Sequence, residues 1–277
     1  MKRKIKKLLA CLVAVIAVFS FTSLCYAEED EAVVNAKEDE TTASEDNGLS
    51  ANLNVAMFSQ YIWRGYELSK DSLVFFPSLT VGYKGFALNL WADLDTDYYS
   101  TGHFTLWETD LVLSYSNSVG PLDFTGGWIM YDVDQAPGTD IPERGQGGVD
   151  NQEVFLILGL DNLLSPEFSV WREIQIGPSW YMQLALSHAF DFNWGHSLDL
   201  GGWVSYMDSE RDDYRSFHDG TVYTNYNVPL NDFVTVSASV NYTFPLSSGA
   251  DRVMQEASFD GSDSQFVYGG LSLDINF

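Results

Sequence analysis

The chain has 277 residues, of which 39 are acidic and 14 basic, so its formal net charge is −25. This excess of negative charge argues against a nucleic-acid partner, whose phosphates it would repel. It is compatible with cations, or with anionic lipid headgroups bridged by divalent ions. Both cysteines lie within the first 27 residues, so no disulfide and no thiolate metal site is expected beyond them.

The N-terminus has the pattern of a secretory signal peptide. Five positive charges between residues 2 and 7 precede the apolar stretch 8–24, and Ala27 offers a small residue for cleavage. A transmembrane helix is the alternative, because about 17 apolar residues lie near the lower limit for spanning. The acidic residues directly after Ala27 favour cleavage. We therefore expect residues 1–27 to be removed, which takes the formal net charge from −25 to −30.

Residues 28–48 form a second region of different composition. They contain nine acids and one lysine but no aromatic residue, so they cannot bury enough apolar surface to fold alone. We interpret this region as an acidic, disordered periplasmic tail, with a contact to peptidoglycan or to a chaperone as the alternative.

From residue 49 onward the sequence alternates with a period of two. In the last run, 267–277, Gly269 and apolar residues occupy the odd positions, and in 86–95 apolar residues occupy the even ones. In 104–116, Trp107, Leu111 and Leu113 are predicted on the outer, apolar face, opposite to Glu108 and Asp110. A soluble sandwich would alternate too, but it would have to neutralise the carboxylates of these runs in its core. In a transmembrane barrel the apolar side chains face lipid and the polar ones face the lumen. The pattern therefore favours the barrel.

Segment lengths give an independent test of this interpretation. We predict about twelve strands, with about 10 to 14 compatible with the pattern, at 51–63, 73–84, 86–95, 103–116, 121–131, 151–161, 167–173, 179–190, 196–206, 220–228, 232–244 and 265–277. Every second link is short, whereas the links 132–150, 207–219 and 245–264 are long and acidic. Short periplasmic turns and long external loops are typical of outer-membrane barrels. Residues 49–277 are therefore predicted to form an all-β, antiparallel, up-and-down transmembrane barrel.

Aromatic residues and the C-terminus point to the same environment. Aromatic side chains concentrate near predicted strand ends, as an interfacial girdle requires, namely Tyr61, Trp63, Tyr83, Trp128, Tyr131, Trp180, Tyr181, Tyr242 and Phe244. The chain ends on Phe277, like the C-terminal signal of outer-membrane barrels. We expect outer-membrane lipid, the barrel-assembly machinery and periplasmic chaperones as partners. The oligomeric state is left open.

One segment carries a resemblance to a known family. The stretch Ser-Gln-Tyr-Ile-Trp-Arg-Gly at 59–65 resembles the Ser-x-Tyr-Val-Phe-Arg-Gly segment that opens the barrels of an uncharacterised bacterial family, the TorF-type porins. Glu-Thr-Asp-Leu at 108–111, followed by Tyr115, is similar to that family's next recognisable stretch. The resemblance covers 49–277, implies an outer-membrane barrel with an unproven channel role, and supplies no catalytic residues.

Arg64 is the first candidate for a residue that controls a pore. By alternation it shares the lumenal face with Asn54 and Gln60. It could pair with Glu108 or Asp110 to form a charged constriction, as selectivity rings do. The alternative is an ion pair that only satisfies buried charge.

The inward-facing acids are the second candidate group. Alternation directs five carboxylates toward the lumen: Asp93, Asp95, Glu108, Asp110 and Glu153. They could form a lining that favours cations, or they could belong to the polar interior of a plugged barrel.

Metal and catalytic sites have weak support in the sequence. The acidic loops around 132–143 and 208–213 could bind divalent cations through oxygen ligands, but they match no calcium-loop pattern, and solvated loops are the simpler interpretation. A nucleophile–base pair at the i, i+2 spacing occurs as Ser216-Phe217-His218, in a predicted loop without an oxyanion donor. We predict no metal site, no cofactor and no enzymatic activity.

The favoured function is a small porin-like diffusion channel in the bacterial outer membrane, for small cations or small polar solutes. Twelve strands would enclose a lumen between those of filled eight-stranded barrels and wide porins. The alternative is a non-conducting barrel with an envelope-structural or surface-interaction role, acting through its acidic external loops. Trp91 and Phe104, both predicted on the polar face, favour this alternative.

Overall fold

The computed structural model describes residues 48–97, 104–133, 151–175, 177–210 and 213–277. The predicted signal peptide and all but the last residue of the predicted acidic tail lie outside these residues. The same holds for Asp134, Asp140, Glu143 and Asp212 of the predicted acidic loops.

Twelve antiparallel strands form a closed barrel, as the alternation predicts. Each wall strand pairs with its neighbours in the chain, and the first pairs with the last, for example Val55 with Leu273. The wall strands are β1 (Leu49–Phe58), β4 (Val74–Tyr83), β5 (Phe86–Asp95), β6 (Thr105–Val119), β7 (Leu122–Val133), β8 (Asn151–Leu160), β9 (Glu167–Glu173), β10 (Ser179–Asp191), β11 (Ser197–Ser209), β12 (Tyr214–Asn231), β13 (Val234–Pro245) and β14 (Phe266–Asn276). Two further strands, β2 (Ile62–Trp63) and β3 (Tyr66–Glu67), form a small hairpin between β1 and β4.

The two faces of the wall differ as a membrane barrel requires. Apolar side chains such as Leu79, Leu88 and Leu113 are exposed on the outer face, while Ala56 and Asp93 are buried on the inner face. This arrangement suits a wall surrounded by lipid, because lipid replaces the core that such side chains would otherwise need.

No helix among the described residues is long and apolar enough to cross a bilayer.

The boundaries depart from the sequence prediction in three places. β1 ends at Phe58 instead of residue 63. The prediction was too long because β2, which lies away from the wall, is also extended and continues the same alternation in the sequence. The predicted loop 207–219 is mostly strand, since β11 continues to Ser209 and β12 begins at Tyr214. The last loop contains a helix, α1 (Ser248–Ala257), whose N-cap Ser247 accepts a hydrogen bond from Ala250 N. One short helix leaves too little periodic signal to be found by alternation.

Two bulges change which side chains face inward. In β6 the register shifts opposite Asp93 and Leu94, so that Trp107 and Glu108 both point into the barrel. The prediction that Trp107 faces outward, and that Phe104 faces inward, is therefore wrong, because an extra residue reverses the parity before it. Phe104 is 63% exposed. In β12 a second shift opposite Ser205 turns two consecutive residues inward.

The interior differs between the two ends of the barrel. The end with the long loops, here the loop end, is filled by aromatic side chains; the end with the short turns, here the turn end, is lined by small polar ones. Three predicted girdle residues, Tyr61, Tyr131 and Tyr181, are in fact buried inside the loop end. Half-buried residues line the turn end, namely Asn52, Asn54, Ser78, Thr80, Asn89, Ser114, Thr125, Ser237, Ser272 and Asp274.

The tight interior packing at β7 can be tested with neighbouring glycines. A Cβ on inward-facing Gly127 would lie 2.7 Å from the Leu113 carbonyl oxygen and inside the Phe155 ring. We expect Gly127→Ala to lower the free energy of unfolding by about 1 to 3 kcal/mol, because the backbone cannot move aside. Urea unfolding in detergent micelles measures this change. The matched control is Gly126→Ala, whose nearest neighbour would lie 3.8 Å away, and equal effects of the two variants would contradict the prediction.

Candidate functional site

The loop between β1 and β4, residues 59–73, folds into the barrel instead of projecting from it; we call it the inserted loop. Its hairpin pairs Ile62 with Glu67 and Trp63 with Tyr66 around a two-residue turn. Arg64 and Gly65 form this turn, with φ angles of 46° and 78°. A turn with two positive φ angles normally takes Asn-Gly or Gly-Gly. An arginine there is disfavoured by about 1 kcal/mol, so other contacts must hold it.

The contacts that hold Arg64 come from the barrel wall. Its two terminal nitrogens donate to the two carboxylate oxygens of Glu153 at 3.0 and 2.8 Å. Both side chains are only 3% exposed. Glu153 also accepts a hydrogen bond from Tyr131 Oη at 3.2 Å. The paired, forked geometry is the strongest form of charge-assisted hydrogen bond between side chains.

Aromatic rings enclose the guanidinium. Its carbon lies 4.4 Å from the ring centre of Tyr181, 4.6 Å from that of Trp63 and 5.4 Å from that of Trp171. Rings at these distances attract a cation, and the attraction strengthens where water is excluded. The sequence predicted Glu108 or Asp110 as the partner of Arg64; in the structure Arg64 pairs with Glu153, on a strand from the other side of the loop 134–150.

The bulge in β12 holds the backbone of the same turn. His218 Nε2 lies 2.9 Å from the Arg64 carbonyl oxygen, and because a carbonyl can only accept, Nε2 donates. His218 Nδ1 lies 3.0 Å from Tyr214 Oη. The next residue, Asp219, accepts hydrogen bonds from Tyr181 Oη at 2.9 Å and Trp203 Nε1 at 3.0 Å. The bulge therefore supplies two polar side chains where regular alternation would supply one.

The glycine of the turn is required by its surroundings. A Cβ on Gly65 would lie 2.9 Å from Met254 Cε and 3.1 Å from Asp219 Cβ. Met254 is one of the buried residues of α1, so the last loop covers the hairpin tip. We call Arg64, Glu153, Trp171, Tyr181 and His218 the Arg64 cluster. The helix α1 covers this cluster where Met254 packs against Gly65.

The predicted acids Asp93, Asp95, Glu108 and Asp110 all lie inside the loop end, and each is at most 7% exposed. Asp93 and Glu108 face each other across β5 and β6, and Asp93 accepts a hydrogen bond from Trp107 Nε1. Their inward placement agrees with the alternation. Their role as the lining of a conducting pore stays a prediction.

The inserted loop covers these acids. The Tyr61 ring packs against Phe76 and Trp91, with ring centres 5.1 and 5.9 Å apart. Trp91 is buried inside, as predicted, and stacks on Phe76 at 5.1 Å. Asp93 and Glu108 each have one carboxylate oxygen without a hydrogen-bond partner among the described residues. The charged forms of both side chains are therefore poorly solvated while the inserted loop covers them.

A second set of contacts joins the inserted loop to the last loop. Lys70 Nζ lies 2.5 Å from Asp260 and 3.0 Å from Asp263. Glu67 accepts hydrogen bonds from Gln60 Nε2 at 2.7 Å and from Phe259 N at 2.8 Å. Burial raises the pKa of the Glu67 carboxyl, although the Phe259 N–H and the Lys70 ammonium oppose the shift. A cleft of about 400 Å³ opens between the two loops beside these residues.

The structure corrects the interpretation of Ser216 and His218. Both lie in β12 and not in a loop. Ser216 Oγ donates to Ser247 Oγ at 2.9 Å, and both ring nitrogens of His218 are engaged elsewhere. The two residues therefore do not form a nucleophile–base pair. Within the described ranges, no group of three or more His, Cys, Asp or Glu side chains is arranged to hold a metal ion.

Sequence reasoning found Arg64 and Glu153 separately but missed their pairing and the contributions of Trp171, Tyr181, His218 and Asp219. One signal was available. Arg-Gly between Ile-Trp and Tyr-Glu is a two-residue turn between short extended segments, which is the pattern of a hairpin.

Comparison with one solved structure, a NanC porin, supports the fold. No family model and no curated protein sequence matches the chain. A NanC porin structure is 8% identical, with a TM-score of 0.51, over 82% of this chain and 98% of that one. The anion-selective porin from Comamonas acidovorans is 10% identical, with a TM-score of 0.33, over 83% of this chain and 98% of that one. The translocator domain of the autotransporter NalP from Neisseria meningitidis is 9% identical, with a TM-score of 0.40, over 89% and 93%.

The ion pair can be tested by removing its partners separately and together. We expect Arg64→Ala and Glu153→Ala each to speed tryptic cleavage after Lys70 at least about tenfold, because each removes both hydrogen bonds of a buried ion pair. The double variant should be cleaved no faster than either single variant. Arg252→Ala, which removes an exposed arginine of α1, is the control. Unchanged cleavage in both single variants would show that the pair does not hold the loop.

Glu67 gives the closure of the inserted loop a dependence on pH. The pKa of the Glu67 carboxyl is raised while the inserted loop lies inside the barrel. Glu67 therefore binds its proton more tightly in this position than it would in a loop withdrawn into solvent. The Glu67 contribution to closure is therefore full below the ordinary pKa of about 4.5, and it is lost as the pH rises through the raised value. Acrylamide quenching of tryptophan fluorescence should increase over this range in the wild type but less in Glu67→Gln. Asp71→Asn, at an exposed acid of the same loop, should behave like the wild type; equal pH dependence in Glu67→Gln would refute the assignment.

Proposed function

We propose that the chain is a porin-like channel of the Gram-negative outer membrane, crossed by small cations or small polar solutes when the inserted loop leaves the lumen. The observation that carries this proposal is the asymmetry of the interior. A polar lumen at the turn end is blocked at the loop end by one hairpin, which a single buried ion pair and its enclosing rings anchor. A barrel with a solely structural role would need no polar lumen leading to a hairpin held by specific contacts.

The polar end suits the passage of water and solutes. Its side chains are small, and several bond to one another across neighbouring strands, as Asn54 does to Asp274 at 2.7 Å and Asn89 to Thr80 at 2.8 Å. Such a lining offers donors and acceptors without filling the space. The loop end would be the extracellular end, because long loops face outward in bacterial barrels.

The preference for cations would come from the acids beneath the inserted loop. Withdrawal of Tyr61 and Arg64 would expose Asp93, Asp95, Glu108, Asp110 and Glu153 to water and remove the positive charge that Glu153 now pairs with. The opened constriction would then be ringed by carboxylates, which attract cations. The likeness to a NanC porin structure supports the barrel, and the TorF-type resemblance of residues 59–65 remains part of the proposal.

A non-conducting barrel is the second candidate. The observation that favours it is the volume of aromatic packing at the loop end, where Trp91, Trp107 and Trp171 are nearly or fully buried. Such a barrel would act through its surface at the loop end, as an envelope-structural or surface-interaction protein.

Single-channel recording in planar bilayers separates the two candidates. We expect the wild-type channel to be closed most of the time and Arg64→Ala to raise the open fraction at least about tenfold. A loss of about 1.4 kcal/mol in the free energy that favours the closed form changes the equilibrium tenfold. Under a salt gradient the reversal potential should indicate cations, and Asp93→Asn with Glu108→Gln should reduce that selectivity. Arg252→Ala, on the exposed side of α1, should match the wild type. A folded Arg64→Ala barrel without current would refute the channel and favour the second candidate.

A further inference from the structure

Four residues form a row across the outer face of the barrel at the loop end. Arg172 on β9 pairs with Trp180 on β10, Trp180 with Asp208 on β11, and Asp208 with Arg215 on β12. The four side chains point outward, because their chain neighbours on these strands are buried on the inner face, namely Trp171, Tyr181, Met207 and Tyr214. The row therefore lies on the surface that faces lipid.

The two arginines of the row are positioned by their neighbours but keep donors for a further partner. The Arg172 guanidinium carbon lies 4.7 Å from the Trp180 ring centre, and stacking on a ring leaves the edge of a guanidinium available. Arg215 Nε lies 2.9 Å from Asp208 Oδ2, and the Arg215 side chain is 67% exposed. Most of the Arg215 side chain is therefore open to the surroundings. Three strand spacings separate the arginines, about 14 Å.

The depth of the row is set by the residues next to it toward the turn end. Tyr206 and Phe217 pack edge to face, with ring centres 5.7 Å apart, and Phe217 is 61% exposed. Below them, the exposed outer face is aliphatic, with Leu184 and Val204. Aromatic residues mark the boundary of the apolar band in membrane barrels. The row lies directly beyond that boundary, at the level of lipid headgroups.

We infer that this row, Arg172, Trp180, Asp208 and Arg215, binds phosphate groups of anionic lipid headgroups in the outer leaflet, at each of its two arginines. The Arg215 side chain is exposed and that of Arg172 is half-buried. Guanidinium groups at headgroup depth match phosphate in charge and in hydrogen-bond geometry. The setting makes the row distinctive, because the chain carries a net charge of −25. Four other cations of the described residues are placed differently. Arg64 is inside the barrel, and Lys70 is bonded to two aspartates between loops. Lys84 lies on Tyr83 at the turn end, and Arg252 lies on α1.

The Asp208 carboxylate, between Trp180 and Arg215 in the row, repels an anion. Its position therefore separates the two places where phosphate can bind. Its carboxylate bonds to Arg215 Nε, which orients the guanidinium while leaving its outer edge accessible. We therefore expect the phosphate to approach each arginine from the lipid side and not to lie over Asp208. The inference requires a barrel embedded in a membrane but does not depend on conduction.

Native mass spectrometry of the refolded barrel in detergent tests the site. The probes are phosphatidic acid, whose headgroup is a phosphate, and diacylglycerol, which has none. We expect wild-type protein to retain phosphatidic acid and Arg172→Gln with Arg215→Gln to weaken its binding at least about tenfold, with smaller losses in the single variants. Arg252→Gln removes one positive charge from the exposed side of α1, as each single variant does from the row, and it should bind like the wild type.

Three results would overturn the inference: unchanged binding in the double variant, equal retention of diacylglycerol, or an equal loss in Arg252→Gln. Inorganic phosphate distinguishes a lipid site from a site for the free ion. If millimolar inorganic phosphate displaces phosphatidic acid completely, the site takes free phosphate and the lipid assignment fails. Partial or no displacement supports the lipid, because its acyl chains add contacts with the apolar band. Heat-dependent migration on gels confirms that each variant is folded, so loss of binding is not loss of the barrel.

Discussion

The position of the inserted loop depends on one buried ion pair. Arg64, at the tip of a hairpin, reaches Glu153 on the wall at 2.8 Å with both side chains almost fully buried. A buried pair is not stabilising in itself, because two charges lose their hydration. Here the rings of Tyr181 and Trp63, and the hydrogen bond from His218 to the turn, surround the guanidinium. All of these contacts act on the same hairpin turn, so they favour a single position of the hairpin.

Two wall irregularities make room for that arrangement. The bulge at Trp107 and Glu108 turns an indole and a carboxylate inward beside Asp93, and the bulge at His218 and Asp219 does the same on the far wall. A regular strand would send one residue of each pair into lipid, where a carboxylate or an imidazole would be poorly solvated. The polar groups under the hairpin are therefore products of the barrel's departures from regularity. The same departures explain why Phe104, assigned inward by simple alternation, lies outside.

The outer and inner surfaces of the barrel carry charges of opposite sign at the loop end. Inside, negative charge is concentrated beneath the inserted loop, where it is sequestered while Tyr61 and Arg64 remain in place. Outside, the cations of Arg172 and Arg215 face the lipid at the loop end. A chain with so large an acidic excess would be repelled by anionic headgroups unless some positive charge stood at their depth. This separation of charge follows from the period of two, because successive residues of one strand point alternately into the barrel and toward the lipid.

The sequence by itself determined the barrel, its twelve strands and the inward direction of Asp93, Asp95, Glu108, Asp110 and Glu153, because alternation is a local property of each strand. It also identified Arg64 as a candidate lumenal residue. Only the tertiary structure decided that Arg64 meets Glu153, that residues 59–73 turn into the lumen, and that α1 covers them. These contacts join residues far apart in the chain, and a period-two pattern looks the same in a wall strand as in an inserted hairpin. Bulges add the remaining uncertainty, since a single extra residue reverses the faces of all those before it.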